Sequence, residues 1–199
     1  MTPIQHAAAI GQILDALGIP WVLGGSMASS IVGEPRSTMD IDVAIQVGVG
    51  RVPDLVAEVA SDYYVSEAMA LDAVERHSSF NLIHFNTGMK IDLFPLSDDL
   101  LDVRQLHRRE RFEVAPGIKL WVGAADDQVF RKLRWYRMGD PVSDRQWRDV
   151  LAILKVQGQR IDRQQLLADA RTLGLHDLVE RALGEDATAP APGSDAEDG

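Results

Sequence analysis

Cysteine is absent from the 199-residue chain, which excludes disulfides and thiolate-bound metals and leaves oxygen or imidazole to ligate any ion it holds. Hard cations such as magnesium or manganese are therefore favoured. Long apolar runs are missing too. None approaches the roughly 20 residues needed to cross a bilayer, and the opening MTPIQHAAAIGQIL lacks the basic flank of a signal peptide. The expectation is a soluble, cytoplasmic protein with no membrane partner. Positive charge is scarce, with 20 Lys and Arg against 30 Asp and Glu, for a formal net charge of -10. A general nucleic-acid binder needs basic surface to displace counterions from phosphate, so that class is disfavoured, although a local basic groove remains compatible. There is no internal repeat, no G-x-G-x-x-G dinucleotide fingerprint and no P-loop. His77, His84 and His107 share no helical H-x-x-x-H spacing and read as surface or half-buried histidines.

What the chain does contain is a stretch that combines three features, WVLGGSMASSIVGEPRSTMDIDVAI from Trp21 to Ile45. A short apolar run ends at Gly24-Gly25, where the missing Cβ atoms permit positive φ and close approach of a ligand to the backbone. Ser26 opens a small-residue segment that reads as a helix start, whose free N–H groups and dipole suit an anionic phosphate. After a loop carrying Arg36, a second apolar run begins Asp40-Ile41-Asp42, and strand periodicity turns residues i and i+2 to one face.

With 46% hydrophobic residues, the chain can build one well-buried core, or a main domain with a smaller appendage. Thr2-Pro3 opens a helix that ends at Gly18. Strands are expected at Trp21–Leu23, Asp40–Val47 and near Tyr63–Val65, with a short helix from Ser26 and helices at Pro53–Ser61 and Glu67–Arg76. Phe80–Phe85 and Met89–Phe94 flank Asn86-Thr87-Gly88 as a hairpin, and Phe112–Val114 with Ile118–Val122 flank Pro116-Gly117 as another. Helices are expected at Asp98–Arg108, Ala125–Met138, Asp144–Gln157, Arg163–Leu173 and Asp177–Leu183. The pattern is α+β, a mixed β-sheet core flanked by helices with a helical C-terminal region. It divides into a catalytic domain over 1–123, a helical region over 124–185 and an acidic, disordered tail over 186–199.

Asp92 lies in the middle of an apolar strand, where a carboxylate is costly unless paired or bound to a metal. Asp40, Asp42 and Asp92 together make an oxygen-only site for one or two divalent cations, which can activate a hydroxyl and stabilise a leaving pyrophosphate. Gly25-Ser26, Asp40-x-Asp42 and the later Asp92 resemble the signature of the polymerase-β-like nucleotidyltransferase superfamily. GGSMAS, PRSTMDIDV and KIDLF are similar to small bacterial members, including toxin-like and antibiotic-modifying branches, and SDRQWRDVLAILKVQG resembles the helical tail of others. The resemblance implies a two-metal enzyme that transfers a nucleoside monophosphate from an NTP to an acceptor hydroxyl and releases pyrophosphate. It also implies that Asp40 and Asp42 bind both metals, Asp92 helps activate the acceptor, and Gly24, Gly25 and Ser26 cradle the triphosphate. The acceptor can be a small molecule, an RNA 3′ end or a protein side chain, and a protein partner is also compatible.

Other readings stand beside these. Asp40 and Asp42 can be a solvated strand start, and Asp92 the ion-pair partner of Arg36 or Lys90. Arg36 can reach a phosphate or form a surface salt bridge. Lys132, among Arg131, Arg134 and Arg137 on a helix with Val129, Leu133 and Tyr136 inward, is the chosen triphosphate contact. Trp121, Trp135 and Trp147 read as core or helix-packing residues, and Arg108-Arg109 with Arg111 as a solvated basic face. A non-catalytic partner in a toxin-antitoxin pair is the alternative function. A two-carboxylate hydrolase is a third, but it leaves the Gly-Gly-Ser turn without a role.

Overall fold

The computed structural model describes residues 1–139 and 143–188. Its first helix, α1 (Pro3–Ala16), starts where Thr2-Pro3 dictates. The Thr2 hydroxyl accepts the Gln5 N–H, and the Gln5 side chain accepts the Thr2 N–H at 2.7 Å, a reciprocal cap. Among the described residues seven strands follow, β1 (Trp21–Leu23), β2 (Ile41–Ile45), β3 (Tyr63–Tyr64), β4 (Phe80–His84), β5 (Lys90–Pro95), β6 (Glu110–Ala115) and β7 (Ile118–Val122). They form one mixed sheet in the order β3-β4-β5-β2-β1-β7-β6. The pairs β2–β5 and β1–β7 are parallel and the others antiparallel. Both expected hairpins form, with Gly88 and Gly117 at positive φ in their turns.

Alternation decides the layers. Ile41, Val43 and Ile45 of β2, with Ile91 and Leu93 of β5, are buried on one face. That face is covered by α1, α3 (Val52–Val59) and α4 (Glu67–Arg76). The opposite face carries Asp42 and Asp92. At its β1–β2 end it is covered by α2 (Gly25–Val32), on which α6 (Ala125–Arg137) and α7 (Ser143–Gln157) pack directly. The remaining helices are α5 (Leu100–His107), against α6, and α8 (Arg163–Thr172) and α9 (His176–Thr188), which pack together with α9 on α7.

Several expectations shift at their edges. The strand expected over Asp40–Val47 is Ile41–Ile45, so Asp40 immediately precedes it, and a 3-10 turn at Val49–Arg51 follows. The last helix runs to Thr188, past the boundary set for the tail. An Arg163–Asp186 ion pair at 2.7 Å and a Trp147 indole bond to Glu185 at 2.8 Å tie down this last stretch. The rest of the expected tail, 189–199, lies outside the described residues. Trp147 is buried and Trp121 half-buried, but Trp135 is 46% exposed, because it stands two residues from Leu133 and so on the far side of α6. The basic cluster is not a free solvated face. Arg108 bonds Asp126 and the fully buried Asp127 at 2.6 and 2.9 Å, while Arg109 and Arg111 stack on the Trp121 ring at 4.8 and 4.5 Å.

His77 and His107 are exposed, but His84 is buried against His6, with ring centroids 4.7 Å apart. The Thr87 hydroxyl bridges the two, 3.3 Å from His6 Nε2 and 3.0 Å from His84 Nδ1. Burial, the neighbouring His84 and the N-terminal amine all hold His6 below the ordinary histidine range. A histidine depressed in the folded state binds its proton more readily when unfolded, so stability is lost as pH falls through the unfolded value of 6.5. The urea midpoint should therefore drop between pH 7.5 and 5, and the drop should shrink in His6→Asn. An unchanged slope in that variant would remove His6 from the explanation.

Candidate active site

Parallel pairing of β2 with β5 sets Asp42 directly beside Asp92. The two side chains share a face because opposed residues in a ladder point the same way. Above them the chain leaves β1 at Gly24, whose N–H donates to the Asp42 carbonyl at 2.8 Å. Gly25 then enters α2 with φ +57°, and a Cβ at this position would lie 1.7 Å from Asp42 Oδ2. The start of α2 is thus folded onto the Asp42 carboxylate, and glycine is the side chain this contact permits. The first-turn N–H groups of α2, with Ser26 among them, have no partners within the helix.

The three carboxylates are less buried than an apolar strand suggests. Asp42 and Asp92 are half-buried and Asp40 is exposed. Burial pushes the Asp42 carboxyl above the usual carboxylate range, and the charges of Asp92 and Asp40 push it further; Lys132 and Lys90 pull the other way. Lys90 bonds Asp92 at 2.9 Å, and this bond lifts the lysine above its ordinary range. The expected alternative of Asp92 as an ion-pair partner of Lys90 is therefore present in the structure, whereas Arg36 goes elsewhere.

Arg36 and Lys132 meet at a residue that sequence reasoning missed, Asp149 of α7. The Arg36 guanidinium donates to both Asp149 oxygens at 3.2 Å and to the Ser26 hydroxyl. Lys132, 3% exposed on α6, donates to Asp149 Oδ2 at 2.7 Å, and the Ser29 hydroxyl donates to the same oxygen at 3.3 Å. Burial works against the Asp149 charge, but the bonds from Lys132 and Arg36 outweigh it and hold the carboxyl below the usual range. Arg36 thus makes a part-buried ion pair beside Ser26 and not a surface one. The signal for Asp149 was its spacing: it lies four residues before buried Ile153 and next to buried Val150 on α7, so helical periodicity turns it toward the core.

Asp149 should be essential to this cluster's stability. Replacing Lys132 by Met leaves Asp149 with only the part-buried Arg36 and the Ser29 hydroxyl as partners, and breaking a buried pair on one side costs up to about 3–5 kcal/mol. Lys132→Met should therefore lower the urea midpoint markedly, and the double variant Lys132→Met, Asp149→Leu should recover much of the loss. Additive losses would show that the two residues act separately.

Oxygen donors on a shared strand face, and a backbone turn that fits only glycine against one of them, suit a hard divalent cation. As the side chains stand, no group of three or more His, Asp or Glu residues among the described residues converges tightly enough to hold an ion; Asp92 is turned to Lys90, which supplies positive charge there. A groove of about 560 Å³ runs past Arg36, between Met27 and Ile31 of α2, Met39 and Phe112, and it reaches neither Asp42 nor Asp92.

No protein-family model and no curated protein sequence matches the chain. Solved structures do. A crystal structure of an antigenic nucleotidyltransferase-like protein from Paracoccidioides brasiliensis superposes with a TM-score of 0.57 at 18% identity, covering 92% of each chain. That of ANT(2")-Ia in complex with adenylyl-2"-tobramycin superposes with a TM-score of 0.50 at 12% identity, over 90% of this chain and 98% of that one. Identities this low speak to the fold, and on that footing the chain carries the fold of the nucleotidyltransferase superfamily.

Proposed function

We propose that this chain transfers a nucleoside monophosphate from an NTP to an acceptor hydroxyl and releases pyrophosphate. The observation that carries the proposal is the register of Asp42 beside Asp92 under the Gly24–Ser26 helix start. Two neighbouring carboxylates next to a helix start with free N–H groups support the reading.

Asp40, Asp42 and Asp92 would hold magnesium or manganese, which supplies positive charge for the reacting phosphate and lowers the acidity barrier of the attacking hydroxyl. The chain's own residues do the rest. Gly25 and Ser26 present backbone N–H groups to the triphosphate, while Gly24, whose own N–H is held by the Asp42 carbonyl, fixes the turn that aims them. Arg36 and Lys132 add two cations on the same side, oriented by Asp149. Asp92 faces the acceptor and takes up the hydroxyl proton. The new bond joins the acceptor oxygen to the α-phosphorus. The bond from that phosphorus to the bridging oxygen breaks, and pyrophosphate leaves with the electron pair toward Arg36 and Lys132. Asp92 could hold a metal only if Lys90 released it, and Lys90 supplies the positive charge at Asp92 as the side chains stand.

The test is incubation of the purified chain with magnesium, each α-labelled NTP and cell extract. Label should enter an acceptor and pyrophosphate should accumulate; nucleoside diphosphate with free phosphate as the products would identify a hydrolase instead.

A further inference from the structure

In-line transfer puts the acceptor on the side of the α-phosphorus opposite the leaving pyrophosphate. The phosphate end of this site lies toward β1 and α2, where Gly24, Ser26, Arg36 and Lys132 gather. The acceptor must therefore approach over β5, β4 and β3. Register fixes what this part of the face presents. Asn81 lies opposite Asp92, and one pleat further on Lys90 lies opposite Ile83, which lies opposite Tyr64. All share the face of Asp42 and Asp92, because opposed residues and residues two apart along a strand point the same way. Phe85 continues the alternation from Ile83.

Tyr64 and Phe85 are each 59% exposed and Ile83 38%. Their inward neighbours Tyr63, Leu82 and His84 are buried, so these strands are held firmly while their outer side chains stand free. By strand spacing, Tyr64 lies about 12 Å from Asp92, the reach of a molecule of two or three fused rings. Two exposed aromatic rings and an isoleucine in one patch form a surface of the kind that marks ligand sites.

We propose that this patch binds the body of the acceptor, a hydroxyl-bearing small molecule with a planar, largely apolar scaffold, whose hydroxyl reaches Asp92 past Asn81. The proposal rests on the nucleotidyl-transfer reading above. Its chemistry follows from the charges on the three strands. Beyond the catalytic aspartates, the outward side chains of the strands themselves include no acid, and at the edge of the patch exposed Asp62, two residues before Tyr64 and bonded through its carbonyl to the Phe85 N–H, is one acid where a polycation needs several. Lys90 is the strands' one cation and already bonds Asp92. A polyanion would find no basic track here, in keeping with the net charge of -10. Rings and methyl groups are what remain, and they recognise an uncharged apolar face.

The test offers the full chain, with magnesium and α-labelled NTPs, three separate pools from one cell extract: small molecules below 3 kDa (roughly the ultrafiltration limit that retains proteins and tRNA-sized RNA), total protein and total RNA. Label should appear in small molecules that reverse-phase resin retains. Tyr64→Ser and Phe85→Ser should each reduce kcat/KM for that acceptor about tenfold or more, through KM, with MgATP affinity unchanged. Label in the protein or RNA pool, label only in cationic small molecules that the resin does not retain, or variants as active as wild type would each overturn the proposal while leaving nucleotidyl transfer in place. No label in any pool would overturn it as well. MgATP affinity in Asp42→Asn then locates the fault: lost binding limits the failure to the acceptor, and unchanged binding extends it to nucleotidyl transfer itself.

Discussion

Asp42→Asn should abolish nucleotide transfer, by about 10³-fold or more, while leaving the fold intact. The two halves of that expectation come from the same geometry. Asp42 is the carboxylate against which Gly25 is folded and beside which Asp92 lies in register, so losing its charge removes the centre of the proposed metal set. The charge is also unfavourable where it sits, since burial, Asp92 and Asp40 all raise its carboxyl. Without metal the asparagine variant should melt at the same temperature as wild type or higher. Magnesium with ATP should raise the melting temperature of wild type, because a ligand that binds the folded state stabilises it, and should raise that of the variant little. A variant that loses activity through unfolding would instead melt well below wild type.

Gly25→Ala should have the next largest effect, and Gly24→Ala beside it should be mild. At Gly25 the backbone has φ +57°, which costs a residue with a Cβ about 1–2 kcal/mol. The larger problem is space. The new methyl would lie 1.7 Å from Asp42 Oδ2 and 2.6 Å from its carboxyl carbon, so either the carboxylate rotates away or the start of α2 lifts. Both outcomes separate the proposed phosphate turn from the proposed metal ligands, and a misplacement on the order of 1 Å costs about 10²-fold in rate. At Gly24 the φ is −117° and the nearest atom to a Cβ is the Asp42 carbonyl oxygen at an ordinary 3.6 Å. Steady-state transfer rates for the two alanine variants, measured beside their urea midpoints, separate the steric effect at Gly25 from a general loss of flexibility. Equal effects at both glycines would contradict the close approach seen here.

The parts of this site that could be read from the chain are those set by local periodicity. The i, i+2 spacing of Asp40 and Asp42, the Gly-Gly-Ser break between apolar run and helix, and an aspartate alternating with Ile91 and Leu93 are features of short segments. Pairing of β2 with β5 was only a possibility at that level, because a parallel register across a connection containing two helices and two strands is chosen by the packed sheet and not by any segment within it. Asp149 shows the limit most clearly. Its partners Ser29, Arg36 and Lys132 come from three other parts of the chain, and no sequence distance encodes that meeting. Trp135, expected to pack, stands exposed because its position on α6 opposes the buried stripe.

Metal-dependent transfer at Asp40, Asp42 and Asp92 is the activity proposed for this chain. The most direct test measures α-phosphate label transferred to acceptor as magnesium is titrated into chelator-treated protein, for wild type and for the double variant Asp40→Asn, Asp42→Asn. Transfer that rises from nothing with magnesium in the wild type and stays at background in the double variant is the predicted result. Transfer by the double variant at the wild-type rate, or full wild-type activity without metal, would contradict it.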